Sequence, residues 1–212
     1  MIAQIGCLTT LTRLDASYNQ LGANAAHDSL PNTIDGCINL AHVSLRHNKL
    51  TSDELPEALG SMDSLAYLDL SNNLLTTLPE CVTDCESIVK LVVNSNQLAE
   101  LPDAVVFMPH LETLHVANNR IQDIPAEIGS LGNTLASLKL DWNLVEELPP
   151  SFAALAALRE FTTEGCPMRI PGHHVILRGP DAVRRWCETS TDSAVFRLRQ
   201  RTCSLFHSPA RC

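Results

Sequence analysis

The strongest constraint on the fold is an eleven-residue pattern, L-x-x-L-x-L-x-x-N-x-L, that recurs along most of the chain. Other aliphatic residues replace leucine at some of its apolar positions. The successive copies place these residues at the asparagine position: Asn19, Asn48, Asn73, Asn96, Asn119, Asn143 and, in a degenerate seventh copy, Cys166. Their spacings are 29, 25, 23, 23, 24 and 23 residues. A period this regular predicts that one structural unit stacks on the next.

Each copy contains an L-x-L step, which alternates like a short strand with one buried face. Stacked copies therefore predict a parallel sheet. A proline step follows in the third to sixth copies, at Leu78-Pro79, Leu101-Pro102, Ile124-Pro125 and Leu148-Pro149. Because proline breaks regular structure, we expect the chain to return along the opposite side as helical turns or irregular backbone. Narrow strands and wider backs predict a curved solenoid with its strands on the concave face.

The charge of the chain is unevenly distributed. Residues 1–168 carry 7 Lys/Arg and 21 Asp/Glu, a net charge of −14, whereas residues 169–212 carry 8 Arg and 3 acids, a net charge of +5. An acidic body is a poor match for a phosphate backbone, so we expect no nucleic acid on the main domain. No apolar run approaches the roughly 18 residues of a membrane span, so we also expect no membrane span.

The pattern resembles the leucine-rich repeat, and its proline step resembles the intracellular Ras-suppressor-type subclass, over residues 1–171. The fold class implied is α/β: a right-handed curved leucine-rich-repeat solenoid with a C-terminal helical cap. The resemblance also implies a non-catalytic scaffold or adaptor in signal transduction. Its partner would be a protein, such as a small GTPase, a phosphatase or a kinase. We expect this protein to be cytoplasmic or nuclear.

The two ends of the chain differ from the repeats. Residues 172–189 predict a cap helix, with Pro180 at its start and Val183, Trp186 and Cys187 on one apolar stripe. This stretch resembles the C-terminal end of the leucine-rich repeat-containing protein 40 family. We expect residues 190–212 to form a disordered basic tail.

The first repeats are irregular. Met1 takes the place of the leucine in a proline step, so the chain starts partway through a repeat. We expect either the C-terminal part of a longer protein or an exposed first coil. The segment Gly22–Gly36 lengthens the first repeat and should bulge on the convex or lateral side.

The cysteines predict core packing, with no metal, cofactor or catalytic role. Cys37 and Cys85 precede their repeats by three residues, in the apolar row that Met62, Met108 and Leu155 share. No second cysteine pair follows at zinc spacing, and no catalytic motif is present. Reduced cysteines favour a cytosolic or nuclear compartment.

The concave face carries the candidate site. Side chains at the third, fifth, seventh and eighth positions of the pattern should point outward, and Tyr, Trp and Arg are favoured at interfaces. The predicted partner-binding residues are Arg46, His47, Tyr67, Asp69, Lys90, Val92, His115, Lys139, Asp141 and Trp142.

Two alternatives remain open at this point. The chain could be a targeting or regulatory fragment of a larger signalling enzyme. Its basic tail, with Arg197, Arg199 and Arg201, could instead contact RNA or an anionic membrane.

Overall fold

Seven short parallel strands form one sheet in the computed structural model, which describes residues 2–23 and 30–190. The strands pair in chain order, so each is a neighbour of the next along the sequence. Their bounds are β1 Arg13–Asp15, β2 His42–Ser44, β3 Tyr67–Asp69, β4 Lys90–Val92, β5 Thr113–His115, β6 Ser137–Lys139 and β7 Glu160–Thr162.

The register of the sheet follows the repeat pattern. Leu68 lies opposite Leu91, and Leu91 lies opposite Leu114, so equal pattern positions face each other from strand to strand. These central residues are fully buried, while the residues before and after them turn to the other side. The predicted parallel sheet with one buried face is therefore confirmed.

The opposite side of the solenoid is built mainly from 3₁₀ segments. These span Ile2–Cys7, Asn32–Gly36, Ser52–Glu54, Glu57–Ser61, Asp103–Phe107, Ile128–Leu131 and Pro150–Ala154. A single α-helical turn, α1 (Glu80–Thr83), replaces the 3₁₀ segment in one coil. Pro79 and Pro102 precede their segments in extended backbone, as expected for a residue that ends the preceding run. The molecule is a curved leucine-rich-repeat solenoid, as predicted.

The apolar row before each repeat lies in the core. Cys37 and Cys85 are 1% exposed, and Met62, Met108 and Leu155 are equally enclosed, at 5% or less. Burial raises the pKa of both thiols, which keeps them protonated and unreactive at neutral pH. The prediction that these cysteines are small core residues is confirmed.

The repeated asparagines connect neighbouring coils. Asn73 donates from Nδ2 to the carbonyl of Leu70 in its own coil at 2.9 Å and to that of Leu45 in the preceding coil at 3.0 Å. Its Oδ1 accepts the Leu50 N–H at 3.0 Å. Cys166 keeps one part of this arrangement, because its Sγ donates to the Leu140 carbonyl at 3.1 Å. These bonds join each coil to the preceding one.

A cap closes the C-terminal end of the described solenoid. It consists of α2 (His173–Ile176) and α3 (Pro180–Ser190), with Val183 and Cys187 buried against the last coil. Arg184 pins the cap, because its guanidinium donates to the carbonyls of Leu155 and Ala156 and pairs with Asp181.

Several predicted features lie outside the described residues. These are Met1, residues 24–29 of the predicted bulge and, apart from Ser190, the basic tail (residues 190–212).

Candidate binding face

Two aromatic stacks occupy the concave face near the start of the solenoid. In the first, the Tyr18 and His47 rings lie 4.3 Å apart at an interplanar angle of 15°, and the Arg46 guanidinium lies 5.7 Å from the centre of the Tyr18 ring. Tyr18 remains 68% exposed. The stack therefore presents a flat aromatic surface beside a cation, a combination that suits protein contacts.

The second stack is formed by residues at the third pattern position of neighbouring strands. The His42 and Tyr67 rings lie 4.0 Å apart at 12°, and Lys90 Nζ lies 5.4 Å from the centre of the Tyr67 ring. Arg13 continues the row on the other side, since it pairs in register with His42. Burial is the main cause of a lowered pKa at His42, and the Arg13 charge acts in the same direction.

The aspartates on this face accept hydrogen bonds from backbone N–H groups. Asp15 and Asp69 each accept the N–H of the serine two residues later, at 3.0 and 2.9 Å. The bond to the Ser17 side chain and then this backbone bond lower the pKa of Asp15. Asp141 accepts the Thr162 hydroxyl at 2.5 Å and the Glu164 N–H at 2.6 Å. Their carboxylates therefore fix the ends of the strands.

A polar chain links three strands nearer the C-terminal end. Ser137 Oγ donates to Glu160 at 2.7 Å, His115 Nε2 lies 3.0 Å from that Oγ, and Lys139 pairs with Glu160 at 2.7 Å. Because Ser137 uses its proton on Glu160, the His115 ring is the donor to Ser137. This order does not activate the serine as a nucleophile, which would need the histidine as acceptor.

The surroundings of His115 and Glu160 lower the pKa of both groups. Burial lowers the pKa of His115, and the nearby cations Lys139 and Lys90 lower it further. The hydrogen bonds from Lys139 and Ser137 lower the pKa of Glu160. At neutral pH, His115 is therefore neutral, and Glu160 is ionised and paired with Lys139.

The rim of the concave face is formed by residues in left-handed backbone. The eighth pattern position has φ between 54° and 57° in six coils, at Tyr18, His47, Asn72, Ser95, Asn118 and Trp142. This conformation costs an ordinary residue about 1 kcal/mol, so the shared turn of the repeat imposes it. Gly165 continues the row at φ 72°, and a Cβ there would lie 2.6 Å from the Trp142 ring. Glycine thus leaves room for the indole, which is 61% exposed.

The ten predicted site residues all lie on this face, but their accessibility differs. Arg46 and Trp142 are exposed, and Asp69 and Val92 are only 8% and 7% exposed because neighbouring side chains cover them. The half-buried ones are His47, Tyr67, Lys90, His115, Lys139 and Asp141. Asp69 and Val92 therefore offer a partner little surface.

Three residues in or beside the stacks were not among the predicted site: Arg13, Tyr18 and His42. Their pattern positions place them on the same face, but the sequence alone does not indicate which rings stack. The structure places Tyr18 against His47, His42 against Tyr67, and Arg13 in register with His42.

Among the described residues, no group of three or more His, Cys, Asp or Glu side chains is placed to hold a metal ion. Within those residues there is also no helix with the length and apolar character needed to cross a membrane.

Comparisons with known proteins agree with the repeat. Two leucine-rich-repeat family models match, one over residues 38–98 and the other over residues 110–131. Lumican of Bos taurus is 46% identical over 46 residues, which are 22% of this chain and 14% of lumican. The matches support the leucine-rich-repeat family, while the chain spans a small part of the length of these relatives.

Solved structures share the fold over a larger part of this chain. A leucine-rich-repeat protein of Leptospira interrogans is 29% identical with a TM-score of 0.60, over 79% of this chain and 46% of that one. The leucine-rich-repeat ectodomain of the Arabidopsis thaliana membrane receptor kinase GASSHO1/SCHENGEN3, in complex with CASPARIAN STRIP INTEGRITY FACTOR 2, is 27% identical with a TM-score of 0.63. That match covers 78% of this chain and 20% of the ectodomain. Proteins with this repeat generally mediate protein–protein interactions, and the fold is typically a non-enzymatic scaffold.

Proposed function

We propose that this chain is a non-catalytic protein-interaction scaffold that holds a protein partner on its concave face. The observation that carries the proposal is the pair of aromatic stacks, each beside a cation, on the N-terminal half of that face. Trp142 adds an exposed aromatic further along the rim. Stacked rings and held cations lose little conformational freedom when a partner binds, which favours affinity.

We further propose that the chain acts inside the cell as an adaptor of the Ras-suppressor type. The repeated proline step and the six described cysteines, all free, support this placement. Burial raises the pKa of Cys81 and of Cys187 to about 11, so these thiols are protected from oxidation at neutral pH. A small GTPase, a phosphatase or a kinase is the class of partner that we propose.

The test is affinity capture from cell lysate followed by mass spectrometry. The wild-type chain is compared with the double variant Tyr67→Ala/Trp142→Ala, which removes two aromatics from the concave face. The matched control is Phe107→Ala/Leu177→Ala, since Phe107 and Leu177 are 78% and 77% exposed outside that face. All three chains are first shown to melt at similar temperatures.

The proposal predicts a protein that wild type and the control capture and the concave variant loses. Capture that survives in the concave variant and fails in the control would contradict it, because recognition would then lie on the convex side or the cap.

A further inference from the structure

Three cations on the N-terminal half of the concave face are free of ion pairs. Arg13, Arg46 and Lys90 form no salt bridge within the part of the chain that the structure describes, whereas Lys139 on the C-terminal half is paired with Glu160. Arg13 and Arg46 are exposed, and Lys90 is half-buried beside the Tyr67 ring. We refer to these three residues as the cationic patch.

The carboxylates nearest the cationic patch already have other partners. Asp69 is buried and accepts the Ser71 N–H and the Tyr67 hydroxyl, and Asp15 accepts the Ser17 N–H. Neither carboxylate forms an ion pair with the patch, so its three cations stay unpaired in a body whose residues 1–168 carry a net charge of −14. Unpaired cations on one face complement an acidic contact.

The spacing of the patch fits a short extended peptide. Arg13 and Lys90 lie in one registered row, three strands apart, which corresponds to about 14 Å. An extended chain covers that distance in roughly four or five residues. The exposed Tyr18 ring offers an apolar contact next to Arg46.

We propose that the cationic patch binds an acidic peptide segment of the partner protein, with Glu or Asp carboxylates on Arg13, Arg46 and Lys90. This inference rests on the proposed scaffold function and names the chemistry of its partner. A short segment suits the site better than a nucleic acid. A nucleic acid is a long polyanion and would extend from the patch onto the acidic body, where it would be repelled. A short peptide stays on the patch, and salt screens it from charges more than about 8 Å away.

The test begins with a random dodecapeptide library displayed on phage and selected on the full chain. Acidic residues should be enriched among the selected peptides, and the most enriched sequence is then synthesised for calorimetry. The triple variant Arg13→Glu/Arg46→Glu/Lys90→Glu should bind this peptide about 10- to 100-fold more weakly, because three charge-assisted contacts are lost.

A matched control separates the patch from net charge. Lys49→Glu/Arg120→Glu/Arg159→Glu changes the total charge by the same amount, and all three residues are exposed outside the concave positions. Its peptide affinity should fall by less than about threefold, through long-range charge alone. Both triple variants should melt close to wild type.

Several outcomes would overturn the proposal. These are selected peptides without acidic enrichment, no selected peptides, or equal losses of affinity in the two triple variants. A fluorescent oligothymidine that binds through the same three cations, where acidic peptides do not, would assign the patch to nucleic acid. The peptide test can fail while Tyr67→Ala/Trp142→Ala still loses the captured protein. In that case the scaffold function stands and this inference alone is wrong.

Discussion

At the scale of single residues, the asparagine at the ninth pattern position explains how the coils stay joined. Its amide is both donor and acceptor, so one side chain can satisfy carbonyls in two coils and an N–H in the preceding one. The carbonyl of Leu70, for example, accepts from Asn73 and also from Asn96. A carbonyl with two donors keeps one hydrogen bond when the other is lost. The Leu75 N–H donates to Asn96 Oδ1 and loses this bond when Asn96 is replaced.

We therefore predict that Asn96→Ala lowers the free energy of unfolding by about 1–3 kcal/mol, because it strands the buried Leu75 N–H. Urea unfolding followed by circular dichroism measures this loss. Gln97→Ala, at the next position, should leave the urea midpoint nearly unchanged. Equal effects of the two substitutions would contradict the bridging role.

Neighbouring residues of one strand give a second prediction. Leu91 is fully buried, whereas the side chain of Lys90 lies on the opposite face of β4. Leu91→Ala should cost about 2–5 kcal/mol of stability through lost burial and a cavity. Lys90→Ala should cost little. A large fall in melting temperature for Lys90→Ala would show that the assigned faces of the strand are reversed.

At the scale of elements, the sequence predicts the strands well and the convex side poorly. Strand positions follow from a fixed pattern, and β3, β4 and β5 each cover its third to fifth positions, starting one residue before the L-x-L step. The return segments have no comparable periodicity. Proline marks their starts, but whether a coil forms a 3₁₀ segment, as at Asp103–Phe107, or the helical turn α1 depends on packing against adjacent coils.

The cap helix carries a prediction of its own. Val183 is fully buried against the last coil, so Val183→Asp places an unpaired charge in the core. We expect a loss of about 3 kcal/mol or more, and binding of a hydrophobic dye as the cap detaches. Arg185→Asp, exposed on the same helix, serves as the comparison. Wild-type stability for Val183→Asp would mean that α3 does not close the solenoid.

The histidines of β2 and β5 give the sheet a dependence on pH. Burial lowers the pKa of both His42 and His115, so the folded state favours their neutral forms. The unfolded chain takes up protons near the ordinary value of about 6.5 and thus binds more of them below that pH. The stabilising effect is complete above about pH 6.5 and is lost as the pH falls toward the lowered values.

We predict that the urea midpoint of the wild type falls between about pH 7.5 and about pH 5.5. The urea midpoint of the double variant His42→Gln/His115→Gln should fall less over this range, because the groups that take up protons on unfolding are gone. His110→Gln/His173→Gln, which changes two exposed histidines, should keep the wild-type slope. A double His42/His115 variant with an unchanged slope would refute this account.

At the scale of the whole molecule, the sequence identifies the candidate face but not how its surface is divided. A pattern position tells which way a side chain points, and it does not tell whether neighbours cover it. Adjacent strands are about 4.8 Å apart, so side chains of one row touch those of the next. For this reason Asp69 and Val92 are covered, and His42 and Tyr67 meet as a stack.

The concave face also changes character along the solenoid. Its N-terminal half holds the aromatic stacks and the cationic patch, whereas its C-terminal half holds paired charges around Glu160 and the exposed Trp142 ring. A partner that spans both halves would meet unpaired positive charge at one end and an aromatic rim at the other. The direction in which such a partner lies along the solenoid should therefore be fixed by its own charge distribution.

The most direct test of the central claim is site-specific photo-crosslinking in cells. The photoreactive residue p-benzoylphenylalanine is placed singly at Tyr67 and Trp142 on the concave face, and at Phe107 and Leu177 elsewhere, because all four positions already carry large apolar side chains. We expect light to join one and the same protein to the chain from Tyr67 and from Trp142, and not from Phe107 or Leu177. Crosslinks to a partner from Phe107 or Leu177 alone would contradict it.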